Sequence, residues 1–167
     1  IGPHLGVGEE STLFALPPDH TVDERLETTI AGIKLELVHA PGETEDQLFV
    51  WLPEKKVVLS GDNIYQTFPN LYTIRGTYYR HVQKWAASLD KIRALDAEFL
   101  VPSHTRPLSG RERIRATLTD YRDAIQYVHD QTLRYMNKGL TPDQIVERVH
   151  LPPHLAESPW LQEFYGK

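Results

Sequence analysis

The sequence predicts an α/β fold in which a mixed sheet with helices comes first and an all-helical segment follows. Two patterns support this prediction. Short apolar runs, alternating with polar residues or bounded by turn residues, fill roughly residues 26–62 and are typical of β-strands. From residue 80 onward, apolar residues recur at spacings of three and four, as in amphipathic helices. We therefore divide the 167 residues into an α/β part, residues 1–108, and a helical part, residues 109–167.

The strands of the α/β part are predicted from short local patterns. Residues 27–38 predict a half-buried hairpin: a Thr-Ile segment and a glycine turn come first, and then apolar residues 33, 35 and 37 alternate with polar residues 34 and 36. The apolar runs at residues 48–52 and 57–60 predict two buried strands, closed by Pro and by Gly-Asp respectively. Residues 99–101 form one more short strand, which ends just before Ser103.

Three helices follow from the apolar spacing and from end signals. The first covers residues 80–95, and a long one covers about residues 111–137 before a glycine stop. Thr141 as N-cap and Pro142 in the first turn predict a third helix to about residue 150. The long helix carries an apolar stripe with seven-residue spacings, which suits helix pairing and serves an internal core equally well. Its members are Ile114, Leu118, Tyr121, Ile125 and Val128.

Composition excludes several classes of protein and of site. A net charge of −5 argues against a nucleic-acid-binding protein that relies on a general basic surface. No apolar run approaches the ~20 residues of a membrane-spanning helix. The absence of cysteine excludes disulfides and zinc–thiolate sites and leaves the cellular compartment open. Any bound metal ion must therefore have His, Asp or Glu ligands.

Three groups of polar residues follow directly after predicted strands, at residues 39–46, 61–63 and 103–107. Loops at one edge of a sheet bring such residues together, and carboxylate and imidazole ligands there can bind a divalent metal ion. Each group alone has an ordinary alternative: Asp62 as a turn residue, His104 as a surface histidine, and the acids of the first group as a solvated loop. The three groups together favour a metal site.

Longer strings carry a resemblance to a known family. The sequence is similar to the alkyl sulfatases of the metallo-β-lactamase superfamily, the linear alkylsulfatase family, at residues 41–47 (PGETEDQ), 61–63 (GDN), 68–76 (FPNLYTIRG) and 102–107 (PSHTRP). It also resembles that family's helical dimerisation domain at residues 140–143, 151–155 and 162–166. The resemblance implies the C-terminal half of an αββα metallo-β-lactamase domain, followed by the start of the dimerisation domain.

The resemblance also implies a site with two zinc ions. Glu43 would ligate one zinc ion, with Glu45 as the fallback ligand because the spacing of this loop varies in the family. Asp62 would bridge the two metal ions and act in catalysis, and His104 would ligate the second. Well-known family members carry Glu in place of Asp62. At this position the sequence therefore differs from the family and follows the general superfamily pattern, which has Asp.

A second set of residues is implied to bind the sulfate ester. Arg75 and Asn70, with Tyr72 between them, match positions that the family offers to the sulfate group. A guanidinium provides forked donors to a tetrahedral oxyanion, so Arg75 is also a candidate catalytic residue. Its alternative is an ordinary surface ion pair. The aromatic candidates for lining an alkyl-chain site are Tyr65, Phe68, Tyr72 and Tyr78, although aromatic residues at such spacing are more often core residues.

One family motif is absent from the sequence. The family's first metal motif, His-x-His-x-Asp-His, does not occur in the chain. We therefore expect a fragment that binds zinc weakly or not at all, because a closed zinc site needs four ligands. The expected partners are a sulfate ester and a second copy through the helical segment. The alternatives are hydrolysis of another ester, a lactone or a β-lactam, and an inactive fragment that acts only in helical self-association.

Overall fold

The computed structural model describes residues 16–73 and 78–164, and its described part forms one six-stranded mixed sheet and four helices. In chain order, these elements are β1 (Arg25–Ile30), β2 (Ile33–His39), β3 (Leu48–Leu52), β4 (Val57–Gly61), α1 (Val82–Arg93), β5 (Phe99–Pro102), β6 (Leu108–Ser109), α2 (Arg111–Met136), α3 (Pro142–Val146) and α4 (Pro153–Ala156). The α/β fold and the mixed sheet predicted from the sequence are confirmed.

The strand directions bring three loops to one edge of the sheet. The strands lie in the order β1-β2-β3-β4-β5-β6, and every neighbouring pair is antiparallel except β4 with β5, which are parallel. Strands β2, β4 and β5 therefore run in the same direction. Their carboxyl ends lie at one edge, which we call the carboxyl edge, and the three polar groups of the sequence begin there.

Only one face of the sheet belongs to the buried core. Trp51, Val58 and Leu100 lie side by side in register and are at most 8% exposed. They share one hydrophobic cluster with residues of α1 and α2. On the opposite face Leu59 and Phe99 are 39% and 48% exposed, because alternate side chains of a strand point to opposite sides.

The long helix turns its apolar stripe inward. Ile114, Leu118, Tyr121 and Ile125 are at most 3% exposed and belong to the same cluster as the sheet and α1. Fully burying each aliphatic member contributes about 1.5–3 kcal/mol. The stripe thus forms an internal core, the second of the two alternatives drawn from its spacing. The core crosses residue 108, and the division of the chain at that residue stays a prediction.

The structure departs from the predicted elements at a few ends. Strand β6 was not predicted, because two residues carry no readable periodicity. Helix α3 begins after the predicted N-cap Thr141, which forms a capping box with Gln144, but it ends at Val146 rather than near residue 150. The chain leaves the helix in a turn at residues 147–148, before the short helix α4 begins at Pro153. Among the described residues, no helix is long and apolar enough to cross a membrane.

Candidate functional site

Asp62 and His104 meet at the carboxyl edge. Gly61 has a φ of +59°, a left-handed conformation that turns the chain sharply at the end of β4 and presents Asp62. His104 Nδ1 donates a hydrogen bond to Asp62 Oδ1 at 2.6 Å. The Ser103 N–H donates to the Gly61 carbonyl at 3.2 Å, so the loop after β5 is fixed to the turn after β4. The His104 side chain is 72% exposed and Asp62 is 27% exposed, which leaves this pair accessible from solvent.

The electrostatics of the edge favour a protonated imidazole. The hydrogen bond to Asp62, and then the charge of its carboxylate, raise the pKa of His104, and the Glu43 carboxylate adds to the effect. Glu43 lies in the loop that follows β2, at the same carboxyl edge as the Asp62–His104 pair. Three charged groups from three loops therefore share one region.

Glu43 itself is held by Arg80, a residue with no role in the sequence analysis. The Arg80 guanidinium donates to the Glu43 carboxylate and to the Asn70 carbonyl. It also lies over the ring of Trp85, 5.9 Å from the centroid, and its side chain is only 14% exposed. Glu43 and Arg80 lie 37 residues apart, so no local spacing could have indicated this pairing.

A buried hydrogen-bond network supports the backbone just before Glu43. Asn63 Nδ2 donates to the Ala40 carbonyl at 3.0 Å, and Ser88 Oγ donates to the Pro41 carbonyl at 2.8 Å. Trp85 Nε1 donates to the backbone carbonyl of Asn63 at 2.9 Å. Asn63 and Trp85 are 0% exposed and Ser88 is 1% exposed. Asn63 belongs to the second polar group but had no role of its own in the sequence analysis, and Trp85 and Ser88 were not site candidates. Their partners lie 22–47 residues away, so no local pattern indicated these bonds.

Gln47 connects the first loop to the turn at Asp62. Its backbone carbonyl accepts a hydrogen bond from the Ala40 N–H at 2.8 Å. The Gln47 side-chain amide is oriented so that both its oxygen and its nitrogen face suitable partners. In this orientation its oxygen accepts hydrogen bonds from the backbone N–H of Asp62 at 2.9 Å and of Asn63 at 2.8 Å. The loop that carries Glu43 and the turn that carries Asp62 are thus bonded to each other directly.

Glu45, the fallback ligand, has a different environment from Glu43. It is exposed and forms an ion pair with Lys84. The hydrogen bond from Lys84 lowers the pKa of the Glu45 carboxyl. The Glu45 backbone carbonyl accepts a hydrogen bond from His39 Nε2 at 2.7 Å. Exposed side chains rather than buried ones therefore contact this part of the loop.

The residues predicted to bind the sulfate ester differ in burial and in their contacts with the site. Asn70 is half-buried and reaches the site through its carbonyl contact with Arg80, whereas Tyr72 is 58% exposed. Arg75 lies outside the described residues. Among the predicted lining aromatics, Tyr65 is a core residue instead: it is 7% exposed, and its ring packs edge-on against Tyr121 at 6.4 Å. Of the other two, Phe68 is half-buried and Tyr78 is 93% exposed.

The donor chemistry of the carboxyl edge fits a divalent metal ion, but the described side chains form only part of a site. Carboxylate and imidazole are ordinary zinc ligands. Within residues 16–73 and 78–164, no three His, Asp or Glu side chains are gathered closely enough to hold a metal ion. Asp62 and His104 are in contact, whereas Glu43 is paired with Arg80. The ligand roles of these three residues stay a prediction.

Comparison with known proteins finds similar sequences. The sequence profile described as "Metallo-beta-lactamase superfamily" matches residues 2–104. A linear primary-alkylsulfatase of Pseudomonas sp. (strain ATCC 19151) is 49% identical over 160 residues, which are 95% of this chain and 30% of that protein. The alkyl/aryl-sulfatase BDS1 of Saccharomyces cerevisiae is 29% identical over 169 residues, covering 96% of this chain and 26% of its own.

A solved structure matches in three dimensions as well. The stereoselective inverting sec-alkylsulfatase Pisa1 from Pseudomonas sp. superposes with a TM-score of 0.85 at 29% sequence identity. The match covers 90% of this chain and 25% of that one. The chain therefore spans between about a quarter and a third of the length of the relatives it matches.

Proposed function

The chain belongs to the metallo-beta-lactamase superfamily, and on that premise we propose that the protein carrying it is a zinc-dependent hydrolase of alkyl sulfate esters. The products would be an alcohol and sulfate. The superfamily is metal-dependent; zinc as the metal and an alkyl sulfate as the substrate belong to the proposal.

The extent of the similarity carries the proposal. The superfamily profile ends at residue 104, before α2 begins at Arg111. The 49% identity to the linear primary-alkylsulfatase covers 95% of the chain, so it includes the helices that follow. A hydrolase that shared only the metal-binding fold would not be expected to match in this helical part. The helices thus favour an alkyl sulfatase over a hydrolase of another ester, a lactone or a β-lactam.

In this proposal Asp62 and His104 hold metal, with Glu43 as a further ligand. Asp62 is already oriented toward His104 by their hydrogen bond, and Arg80 holds the Glu43 carboxylate at the same edge. A zinc ion bound there would supply a strong positive charge and a water acidified to a pKa of about 7. Closing such a site requires ligands beyond these three.

The sulfate ester would be bound by Arg75 and Asn70, with Tyr72 beside it. A guanidinium matches two oxygens of a sulfate group at once, and its charge offsets the charge that develops on the leaving sulfate. Arg80 donates to the Asn70 carbonyl, so one cation links the proposed metal ligand Glu43 to the proposed substrate loop.

Self-association through the helical part is also proposed, on a different surface from the apolar stripe. The stripe of α2 is buried within the chain. Leu133, Met136 and Val146, which lie near the end of α2 and on α3, are 43%, 56% and 67% exposed. These apolar side chains support a homodimer contact at that end of the helical segment.

The test is a metal and activity measurement on the protein at the full length encoded by its gene. Metal content is measured by elemental analysis, and sulfate release is measured from octyl sulfate beside a phosphate monoester, a lactone and a β-lactam. We expect bound zinc, release of sulfate, and loss of both in Asp62→Asn and His104→Ala. Glu54→Gln is the matched control, because Glu54 is exposed, is paired with Lys34 and has no proposed role in the site. Hydrolysis of the lactone or the β-lactam without sulfate release would overturn the proposal.

A further inference from the structure

We propose that Asn63 is a positioning residue that sets the separation of the Glu43 and Asp62 carboxylates. This inference rests on the proposed function, since it concerns two of the proposed metal ligands. Asn63 follows Asp62 directly in sequence, and its side chain bonds to the backbone three residues before Glu43. One buried residue therefore joins the turn after β4 to the loop after β2.

The contacts of Asn63 hold it in place from several sides. Its side chain is 0% exposed and donates from Nδ2 to the Ala40 carbonyl at 3.0 Å. Its backbone carbonyl accepts from Trp85 Nε1 at 2.9 Å, and its backbone N–H donates to the Ser60 carbonyl at 3.3 Å. Because these partners come from β4, α1 and the loop after β2, Asn63 cannot move without disturbing all three elements.

The approach of Gly42 to Asn63 makes the spacing tight. A Cβ built on Gly42 would lie 1.9 Å from Asn63 Oδ1 and 3.2 Å from Trp85 Nε1. Contacts below 3.0 Å require a shift of one partner, so the loop reaches this position only because residue 42 has no side chain. Asn63 Oδ1 is buried and has no hydrogen-bond partner in the described part of the chain, so packing against Gly42 locates that atom.

Helix α1 also forms a hydrogen bond to the loop after β2. Ser88 Oγ donates to the Pro41 carbonyl at 2.8 Å, while Trp85 supports Asn63. Two consecutive carbonyls, those of Ala40 and Pro41, are thus bonded to buried side chains just before Glu43. Residues that orient ligands from outside the coordination sphere typically change metal affinity by 10–100-fold when they are replaced. Asn63 has the burial and the bonds for such a role.

The test compares Asn63→Ala and Asn63→Asp with the wild-type protein at the full length encoded by its gene. Asn63→Asp keeps the shape of the side chain but cannot donate to the Ala40 carbonyl when ionised. Ile125→Val is the control, because Ile125 is fully buried on α2 and its replacement destabilises without changing the loop. We measure Zn²⁺ affinity by competition with a chelator, and the visible absorption spectrum of the Co²⁺-loaded protein.

Both Asn63 variants are expected to bind Zn²⁺ about 10-fold or more weakly and to show shifted cobalt bands. Ile125→Val is expected to lower the melting temperature with an unchanged cobalt spectrum. If the Asn63 variants keep the wild-type affinity and spectrum, the positioning role is wrong. A loss of affinity that only follows the loss of stability, as in the control, would also overturn it.

Gly42 supplies an internal check. Gly42→Ala places a methyl group against Asn63 Oδ1, so we expect a lower melting temperature and weaker Zn²⁺ binding. The double variant Gly42→Ala/Asn63→Ala removes that clash. It should recover the melting temperature of Asn63→Ala, while its Zn²⁺ affinity stays low because the bond to Ala40 is still missing. Full recovery of affinity in the double variant would contradict the role of that hydrogen bond.

Hydrogen exchange separates this inference from the proposed function. In metal-free protein, Asn63→Ala should accelerate amide exchange in residues 40–47 about tenfold and leave the β1–β2 hairpin unchanged. If the wild-type protein binds no metal ion, the proposed function fails, and the exchange result still decides whether Asn63 holds the loop. Unchanged exchange in residues 40–47 would refute the positioning role by itself.

Discussion

The indole hydrogen bond between Trp85 and Asn63 gives a prediction that can be isolated by a matched pair of variants. Trp85 is 0% exposed and donates to the Asn63 carbonyl at 2.9 Å. Trp51 is 8% exposed in the same hydrophobic cluster, and its indole donates no hydrogen bond to any described residue. Trp85→Phe and Trp51→Phe therefore remove the same atoms from similar burial, and only the first removes a hydrogen bond.

The expected loss of stability follows from the buried carbonyl that loses its hydrogen-bond donor. Trp85→Phe leaves the Asn63 carbonyl buried without its indole donor, which costs about 1–3 kcal/mol. The loss of ring area and the resulting cavity are common to both variants and cancel in the comparison. We therefore expect Trp85→Phe to lower the free energy of unfolding by about 1–3 kcal/mol more than Trp51→Phe does.

The assay is urea unfolding followed by far-ultraviolet circular dichroism, in buffer with a chelator so that metal binding does not contribute. Circular dichroism is preferred because both variants change the tryptophan fluorescence. Equal destabilisation by the two variants would refute the reasoning, since it would show that the buried hydrogen bond adds nothing beyond packing. A larger loss in Trp51→Phe would refute it as well.

Three further predictions concern the turn, the core and the ion pair. Gly61→Ala should cost about 1–2 kcal/mol, because φ is +59° there, and should weaken metal retention because its Cβ would lie 3.1 Å from the side-chain amide of Gln47. Tyr121→Phe should be close to neutral at pH 7, since the buried hydroxyl makes only a poorly formed hydrogen bond with the Tyr65 backbone. Burial raises the pKa of Tyr121 well above 10, so wild-type stability should fall by about 1.4 kcal/mol per pH unit above pH 10 through this residue, and the variant should lack that part of the slope. Arg80→Met should destabilise metal-free protein by about 1–3 kcal/mol, because it leaves the Glu43 carboxylate without its cation, and added Zn²⁺ should restore part of that loss.

Each of these predictions has its own control. Gly32→Ala has a comparable backbone cost at a φ of +80°, with nothing within 4 Å of the new Cβ, and should leave metal retention unchanged. Burial also raises the pKa of Tyr65, so Tyr121→Phe should reduce the alkaline slope rather than abolish it; an unchanged slope in urea unfolding between pH 10 and pH 11 would contradict the assignment. For Arg80→Met, a stability that does not respond to Zn²⁺ would show that Glu43 does not exchange its arginine for a metal ion.

Much of the fold could be read from local pattern. The alternation in residues 27–38 and the short apolar runs predicted β1 to β4, and the spacing of Trp85, Leu89 and Ile92 predicted α1. For β3, β4 and α1 these predictions succeed because each element buries one face, and burial imposes the period of the element on its own sequence. Strand β1 is mostly exposed instead, so the hairpin that it forms with β2 is less buried than predicted. Strand β6 and the early end of α3 escaped because a two-residue strand has no period and a helix end depends on its surroundings.

The residue types of the site and their order were determined by the sequence alone. Glu43, Asp62 and His104 each follow a strand, and the chain direction of those strands brings their loops to one edge. That Asp62 and His104 touch, and that Glu43 pairs with Arg80, was decided by the tertiary structure. The supports of the loop, Asn63 among them, were also decided there. Hydrogen bonds between residues 22–47 positions apart leave no periodic trace in a sequence. They exist only after packing has brought α1 against the loops at the carboxyl edge of the sheet.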